Sequence, residues 1–320
     1  EISACLVGSE MCIRDSPMDD DLDDVFRERR RLLALGYRMT GTLADAEDVV
    51  QETYLRWYRL TEAERETIAN PAGWLTTVAG RVALDLLGSA RHRREQYVGP
   101  WLPEPVPAEL FAGAIGSRTA STPEDPLDRI TLDDDVSTAL LVVLEAMTPA
   151  ERVAFVLHDV FAVPFDEIAE AVGRSSAAVR QLASSARRHV RENRATAVPR
   201  AEHDRVVRAF QQATRTGEVA PLLKFLAPDV ELRSDGGGVV SAARNVVSGA
   251  DNVARFLLGI AAKNPHFTAE EKHFGDGLGL VFRDGENVHS VMNVHVEAGV
   301  ITQLWIVLNP AKLTYWNSSQ

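Results

Sequence analysis

Across residues 22–95 apolar side chains recur every three to four positions, the spacing of one buried helix face, and Pro71 is the only proline there. Asn70 before Pro71 predicts a helix start: a side-chain acceptor at the cap, then a residue with no amide to leave unpaired. Residues 99–126 break the pattern. Pro100, Pro103, Pro105 and Pro107 crowd together, and Gly, Ser and Thr follow as far as Pro126, which predicts a flexible linker. Helical spacing resumes near Leu127, with Val136, Leu140, Val143, Leu144 and Met147 on one stripe. Thr148-Pro149-Ala150-Glu151 has the layout of a capping box and predicts a helix of about ten residues behind it. An arginine-rich stretch closes near Pro199, and residues 202–226 read as helix again. Beyond Pro228 the pattern turns strand-like. Asn287–Val296 alternates, with Val288, Met292, Val294 and Val296 on one face and Asn287, His289, Asn293 and His295 on the other; Val300–Leu308 is a further strand. Helices followed by several antiparallel strands predict an α+β third domain. No internal repeat is visible.

The chain has 320 residues, a length for roughly two or three domains. No run of about 18 apolar residues is present, so no membrane association is expected. The formal net charge of -12 argues against coating nucleic acid unaided, but leaves room for a local basic patch. The only cysteines, Cys5 and Cys12, lie in the opening EISACLVGSEMCIRDSP. That opening starts on Glu1 and lacks the basic start and apolar core of a secretory signal. It reads as a non-native leader over residues 1–17, with Met18 as the expected start. The absence of cysteine elsewhere fits a reducing cytoplasm and leaves no disulfide or thiolate-zinc design.

Three stretches carry candidate chemistry. Phe165–Val172 is a short helix with Ile168, Ala169 and Val172 inward, Gly173 permits a turn, and Ser175 or Ser176 can cap the next helix. In that second helix Val179, Leu182 and Ala186 face inward, leaving Ala177, Arg180, Gln181 and Ser184 outward, where a recognition helix meets base edges in the major groove. Six arginines and one acid, Glu192, lie between Arg174 and Arg194, the local excess that phosphate binding needs. Ser176, Arg180, Gln181, Ser184, Arg187 and Arg188 are therefore the candidate duplex contacts, set against a plain solvated helix pair. Upstream, Asp45, Asp48 and Glu52 form an acidic stripe flanked by Glu47 and Gln51, with Ala46, Val49, Val50 and Trp57 turned to the core. Phosphate repels such a face; it is either solvated surface or a dock for a basic protein surface. Trp74, Arg81, Arg91, Arg93 and Arg94, with His92 and Tyr97 nearby, combine aromatic and cationic groups that suit single-stranded DNA, although taken alone a core tryptophan and a basic helix end explain them better.

Taken in order, the acidic helix, the aromatic-basic helix, the linker and the helix-turn-helix resemble regions two and four of the sigma-70 family. Asp45-Ala46-Glu47-Asp48-Val49-Val50-Gln51-Glu52-Thr53 resembles the stretch that binds the clamp helices of the polymerase β′ subunit. Asn70-Pro71 through Trp74-Leu75 to Asp85 resembles the part that opens the minus-ten element, and Phe165–Val190 the reader of the minus-thirty-five element. The region between these two in primary sigma factors is missing, as in the extracytoplasmic-function group. Trp101-Leu102-Pro103-Glu104-Pro105, Asp235-Gly236-Gly237-Gly238 and Asn309-Pro310-Ala311-Lys312-Leu313 resemble signatures of the subgroup with a SnoaL-like C-terminal extension. Two positions depart from it: Val239 stands where lysine is usual, and Ala311 where aspartate is.

The resemblance implies two all-α sigma domains plus a ketosteroid-isomerase-like, cone-shaped α+β domain. The expected boundaries are region two over 18–98, a linker over 99–126, region four over 127–197 and the extension over 201–320. It further implies a cytoplasmic protein partnered by core RNA polymerase (β′ clamp and β subunits) and promoter DNA. Control by its own extension, with no separate anti-sigma factor, is part of the same implication.

No catalysis, cofactor or metal is expected. The extension's fold hosts enzymes as well as inert regulators. Asp235, His289 and His295 are the only bases of suitable type noted there, and they form no convincing acid–base pair. The rival reading is a stand-alone DNA-binding regulator that senses a small molecule in its C-terminal domain, and the acidic helix is what a repressor has no need of.

Overall fold

The computed structural model describes residues 28–95, 97–114, 136–193 and 198–318. The expected leader, the far half of the expected linker and the helix start near Leu127 lie outside the described residues.

The N-terminal domain comprises α1 (Arg29–Thr40), α2 (Leu43–Arg59), the short α3 (Glu62–Glu66) and α4 (Pro71–Glu95). Local chemistry sets each start. The Thr42 hydroxyl accepts from Asp45 N, Thr61 and Glu64 form a capping box, and Asn70 Oδ1 accepts from Gly73 N at 3.0 Å. Leu32, Leu35, Met39, Val49, Val50 and Leu75 close the core, where Trp57 and Trp74 meet edge to face at 5.3 Å.

The middle domain comprises α5 (Thr138–Glu145), α6 (Pro149–Phe155), a π-helical turn (Val156–Val160), α7 (Phe165–Val172) and α8 (Ser176–Asn193). The capping box at Thr148 and Glu151 is present, and the helix expected behind it is α6 extended by the wider π turn. Gly173 ends α7 in the left-handed region, and Ser175 accepts from Ala178 N at 3.2 Å to start α8.

One apolar core runs through both helical domains. Leu157 of the π turn lies over Gly80 of α4, and the buried Arg152 of α6 donates to Met39 O at 2.7 Å while pairing with Glu145 at 3.0 Å. Thr77 of α4 and Glu167 of α7 are in hydrogen-bond contact at 3.4 Å.

The expectation of a flexible linker from residue 99 is corrected over its described part. Leu102 to Pro107 are buried between the N-terminal domain, where Val106 packs, and the C-terminal domain, where Leu102 packs. Glu104 N donates to Gly41 O at 2.8 Å, the Glu104 carboxylate accepts from Leu43 N at 2.8 Å, and Tyr37 donates to Glu104 O. The alternating prolines that suggested looseness instead hold the chain extended with few amides to satisfy, while Leu102 and Val106 bury their side chains.

The C-terminal domain opens with α9 (Arg200–Thr214) and α10 (Val219–Leu223), followed by β1 (Leu226–Asp235), β2 (Val247–Ser248), α11 (Ala250–Lys263), β3 (Thr268–Phe274), β4 (Gly277–Asp284), β5 (Asn287–Glu297) and β6 (Val300–Val307). A 3-10 turn (Pro310–Lys312) and α12 (Thr314–Asn317) close it. The six strands form one sheet in the order β2-β1-β6-β5-β4-β3. One face packs on α9 and α11 through Phe210, Val253, Leu257, Met292 and Leu304. Its other face carries Val281, Val291, Trp305 and Val307, and takes up Leu102 from the linker, Ala139 and Val142 from α5, and Leu313 from the tail.

Four details differ from the sequence reading. Pro228 lies within β1 rather than before it, where pairing with β6 lapses between Leu226 and Glu231, the place a strand tolerates a residue without an amide hydrogen. The β1–β6 pair is parallel, not antiparallel. The amphipathic α11 interrupts the strand region. In β5 the pairing passes from Ser290 to Val288, leaving His289 as a bulge, so Val288 turns to the face of Val291 and away from Met292. Among the described residues no helix is long and apolar enough to cross a membrane.

Candidate functional site

On α2, Asp48, Gln51, Leu55 and Tyr58 are exposed and three or four residues apart, so they form one continuous stripe. The other acids expected on this face are engaged locally: Asp45 accepts from the Thr42 hydroxyl at 2.8 Å, Glu47 pairs with Arg29 at 2.6 Å, and Glu52 with Arg56 at 2.9 Å. Leu55 and Tyr58 escaped the sequence reading because an apolar side chain on an amphipathic helix is normally counted toward the core; placing them on the turn of Asp48 and Gln51 would have found them.

On α4, Trp74 is half-buried against Trp57 and Arg81 is exposed. The side chains of Arg91, Arg93 and Arg94 lie outside the described residues.

On α8, Arg180, Gln181, Ser184 and Arg188 are exposed, with Val179, Ala183, Ala186 and Val190 buried behind them. Ser176 is half-buried. Arg187 is turned aside from this face, its Nε 2.6 Å from Asp159 of the π turn.

The densest polar site lies between the linker, the end of β1 and the tail. Asp235 is fully buried, and its carboxylate accepts from Lys312 Nζ at 2.7 Å, Leu102 N at 2.9 Å, the Tyr97 hydroxyl at 2.5 Å and Gly237 N at 3.0 Å. Lys312 also donates to Leu102 O and lies 4.0 Å from the centre of the Trp101 ring. Burial first, and then the Asp235 carboxylate, hold the Tyr97 phenol well above its ordinary pKa, so it remains a donor. Asn309 Nδ2 donates to that phenol at 2.8 Å, and Gly237, at φ 65°, brings its backbone against the Asn309 amide. Trp316 donates to Pro105 O at 2.7 Å. Trp101, Leu102, Pro105, Asp235, Gly237, Asn309 and Lys312 thus meet in one place, with Pro103 buried beside them and Leu313 seated in the neighbouring apolar cluster. Gly236 and Gly238 complete the turn, and Pro310 begins the 3-10 turn that carries Lys312. Glu104, just along the linker, has its pKa pushed up to about 7, chiefly by burial.

A second junction was not foreseen. Asp276, in the turn between β3 and β4, crowns the N-terminus of α5: its carboxylate accepts from the Ser137 hydroxyl at 2.5 Å, Thr138 N at 2.6 Å and Ala139 N at 3.1 Å. Asn293 of β5 adds a bond to the Thr138 hydroxyl at 2.7 Å. The approach is so close that a Cβ on Gly275 would lie 2.2 Å from Val136 O. Gly275-Asp276-Gly277 reads as an ordinary hairpin turn, and no local signal says that its acid caps a helix about 140 residues upstream.

The candidate bases do not assemble. Asp235 is consumed by four donors, His289 sits on the bulge with its pKa lowered by burial, and His295 lies 3.4 Å from Glu297. Among the described residues no group of three or more His, Cys, Asp or Glu is arranged to hold a metal ion.

The family models for sigma-70 region 2 and for sigma-70 region 4 match residues 25–93 and 137–190. The chain is 41% identical over 298 residues to the ECF RNA polymerase sigma factor SigJ of Mycobacterium tuberculosis, covering 89% of this chain and 91% of that protein. It is 36% identical over 287 residues to the probable ECF RNA polymerase sigma factor SigI of the same organism, covering 89% and 92%. The crystal structure of M. tuberculosis SigJ superposes with a TM-score of 0.68 at 37% identity, covering 92% of this chain and 98% of that one.

Proposed function

The chain belongs to the extracytoplasmic-function family of RNA polymerase sigma factors, in the subgroup with a SnoaL-like C-terminal extension, and from that premise we propose that the extension regulates the protein by holding its two DNA-reading domains closed on each other. As a sigma factor the chain directs transcription initiation with core RNA polymerase at promoter DNA.

The observation that carries the proposal is the contact between α4 and α7. Promoter elements centred near minus ten and minus thirty-five are on the order of 80 Å apart along straight duplex, at about 3.4 Å per base pair. Thr77 and Glu167, one on each reading domain, touch. A chain in this state can engage one element or the other, not both. Two junctions hold it there: the Asp235–Lys312 site clamps the linker, and Asp276 with Asn293 clamps α5. In this reading the extension takes the place of a separate anti-sigma factor and performs no chemistry, the buried Asp235 carboxylate being saturated with donors.

The stripe of Asp48, Gln51, Leu55 and Tyr58 docks a basic and apolar surface of β′, and Arg180, Gln181, Ser184 and Arg188 face the upstream element. Trp74 and Arg81 serve the downstream one.

The experiment compares promoter activity of the full chain, a chain cut after Pro310 and a chain cut near Pro199, each with core polymerase and each checked for folding. The first cut removes Lys312 and raises activity; equal transcription by all three overturns the regulatory reading. Asp48→Lys combined with Leu55→Ala, both on the exposed stripe, abolishes holoenzyme assembly, and retained co-purification with core polymerase overturns the docking assignment.

A further inference from the structure

The π-helical turn Val156–Val160 sends three consecutive side chains to three different elements. Leu157 goes to Gly80 of α4, His158 to Phe165 at the start of α7, and Asp159 to Arg187 of α8. Such wide turns are uncommon and concentrate at functional positions. The His158 ring stacks on the Phe165 ring with centroids 3.7 Å apart and planes 25° apart. His158 Nδ1 lies 3.0 Å from Val163 O; a carbonyl only accepts, so that nitrogen carries the proton and the ring plane is fixed. The Arg180 guanidinium carbon lies 5.3 Å from the centre of the same Phe165 ring. Among the described residues Arg180 has no ion pair, unlike Arg187, and the aromatic ring is what holds its long side chain.

The geometry points to His158 and Phe165 as positioning residues for base readout: a stacked support that pre-orients the Arg180 fork, so that sequence preference at the upstream element depends on two side chains that need not touch DNA. This rests on the assignment of Arg180 as a base-reading residue. The physical basis is rotamer freedom. A bidentate contact to a guanine edge needs a planar fork held at one angle, and an unsupported arginine loses many rotamers on binding. Stacking on a ring that is itself locked by a second ring removes most of that loss beforehand. A residue serving only the core would lower stability and weaken every promoter alike.

The test uses holoenzyme reconstituted from the full chain and core polymerase. Initiation is measured on a panel of promoters that carry each single base change in the upstream element. For wild type, one base pair should show a mismatch penalty of about tenfold that is lost in Arg180→Ala. Phe165→Leu, which keeps apolar volume but removes the ring, should cut the penalty at that same base pair to about threefold, leaving the other positions unchanged. Phe165→Tyr, which keeps the ring, should restore it, and His158→Ala should fall between. Melting temperatures are measured alongside. If Phe165→Leu and His158→Ala lower initiation on all promoters by one factor, with mismatch ratios intact, the positioning role is overturned while the Arg180 assignment survives. If Arg180→Ala itself changes no ratio, the assignment fails, and the positioning role with it.

Discussion

Removing the Asp276 carboxylate by Asp276→Ala isolates one interdomain junction with little damage to either side. Ser137 is α5's own cap, accepting from Leu140 N at 3.2 Å, so the helix keeps a capped end when Asp276 is lost. What disappears is a set of three bonds from the extension: the Ser137 hydroxyl, Thr138 N and Ala139 N. A lost cap costs about 0.5–2 kcal/mol, and hydrogen bonds to a charged acceptor lie at the upper end of that range or above it. Water replaces part of the loss once the domains part, which leaves about 2 kcal/mol favouring the closed arrangement. That energy multiplies the open-to-closed ratio by about 30-fold. If closure limits initiation, Asp276→Ala should raise transcription by up to that factor in a reconstituted assay with core polymerase. A pair of fluorophores on α4 and α7 should report wider separation. Asp276→Asn, which keeps an accepting oxygen but no charge, should give a smaller rise. Unchanged transcription and unchanged separation, with the protein folded, would refute the idea that this carboxylate helps to hold region four.

Three further expectations follow from buried charge. The Glu104 pKa, raised by burial from its ordinary value to about 7, means the folded protein binds more protons than the unfolded one between about pH 4.5 and about pH 7. Its contribution is therefore complete below about pH 4.5 and is lost as pH rises through about 7, a change of about 3 kcal/mol that denaturant melts should record and Glu104→Gln should abolish. Lys312→Ala leaves Asp235 buried and uncompensated, and should destabilise the protein by about 3–5 kcal/mol in the same melts, with Asp235→Asn in the same chain recovering part of it. Arg187→Ala should lower stability by about 1 kcal/mol through the Asp159 pair instead of flattening the salt dependence of promoter binding, and a double-mutant cycle with Asp159→Ala reads the coupling directly.

Helix starts and the reading helix were legible because their causes are local. Asn70-Pro71, Thr148 with Glu151, and Gly173 each act within one turn of chain. Most of what escaped depends on a distant partner. The face of Asn293 and His295 is polar, and in the sequence it could meet solvent or another domain; the Asn293 bond to Thr138 decides for another domain. Val288 obeys a strict alternation on paper, but a single unpaired residue at His289 reverses its face. The proline-rich segment carries the composition of a free linker, but Leu43 N and Gly41 O tie it to the N-terminal domain while Asp235, Lys312 and Trp316 tie it to the extension. For Asn293 and Val288 the residue type was right and the neighbour was missing.

The Asp235–Lys312 junction also sets a timetable. A nascent chain is made at about 5–20 residues per second, and its domains fold from the N-terminus onward. Lys312 follows Asp235 by 77 positions. The cation that neutralises the junction is therefore made several seconds after the two helical domains have been synthesised. During that interval the growing chain carries both helical domains without the Asp235–Lys312 pair, and under the proposed regulation it would meet polymerase as an unlocked molecule. Under the proposed regulation the junction closes only once Lys312 has been made, and the rate of late elongation would set how many new molecules polymerase captures before they lock.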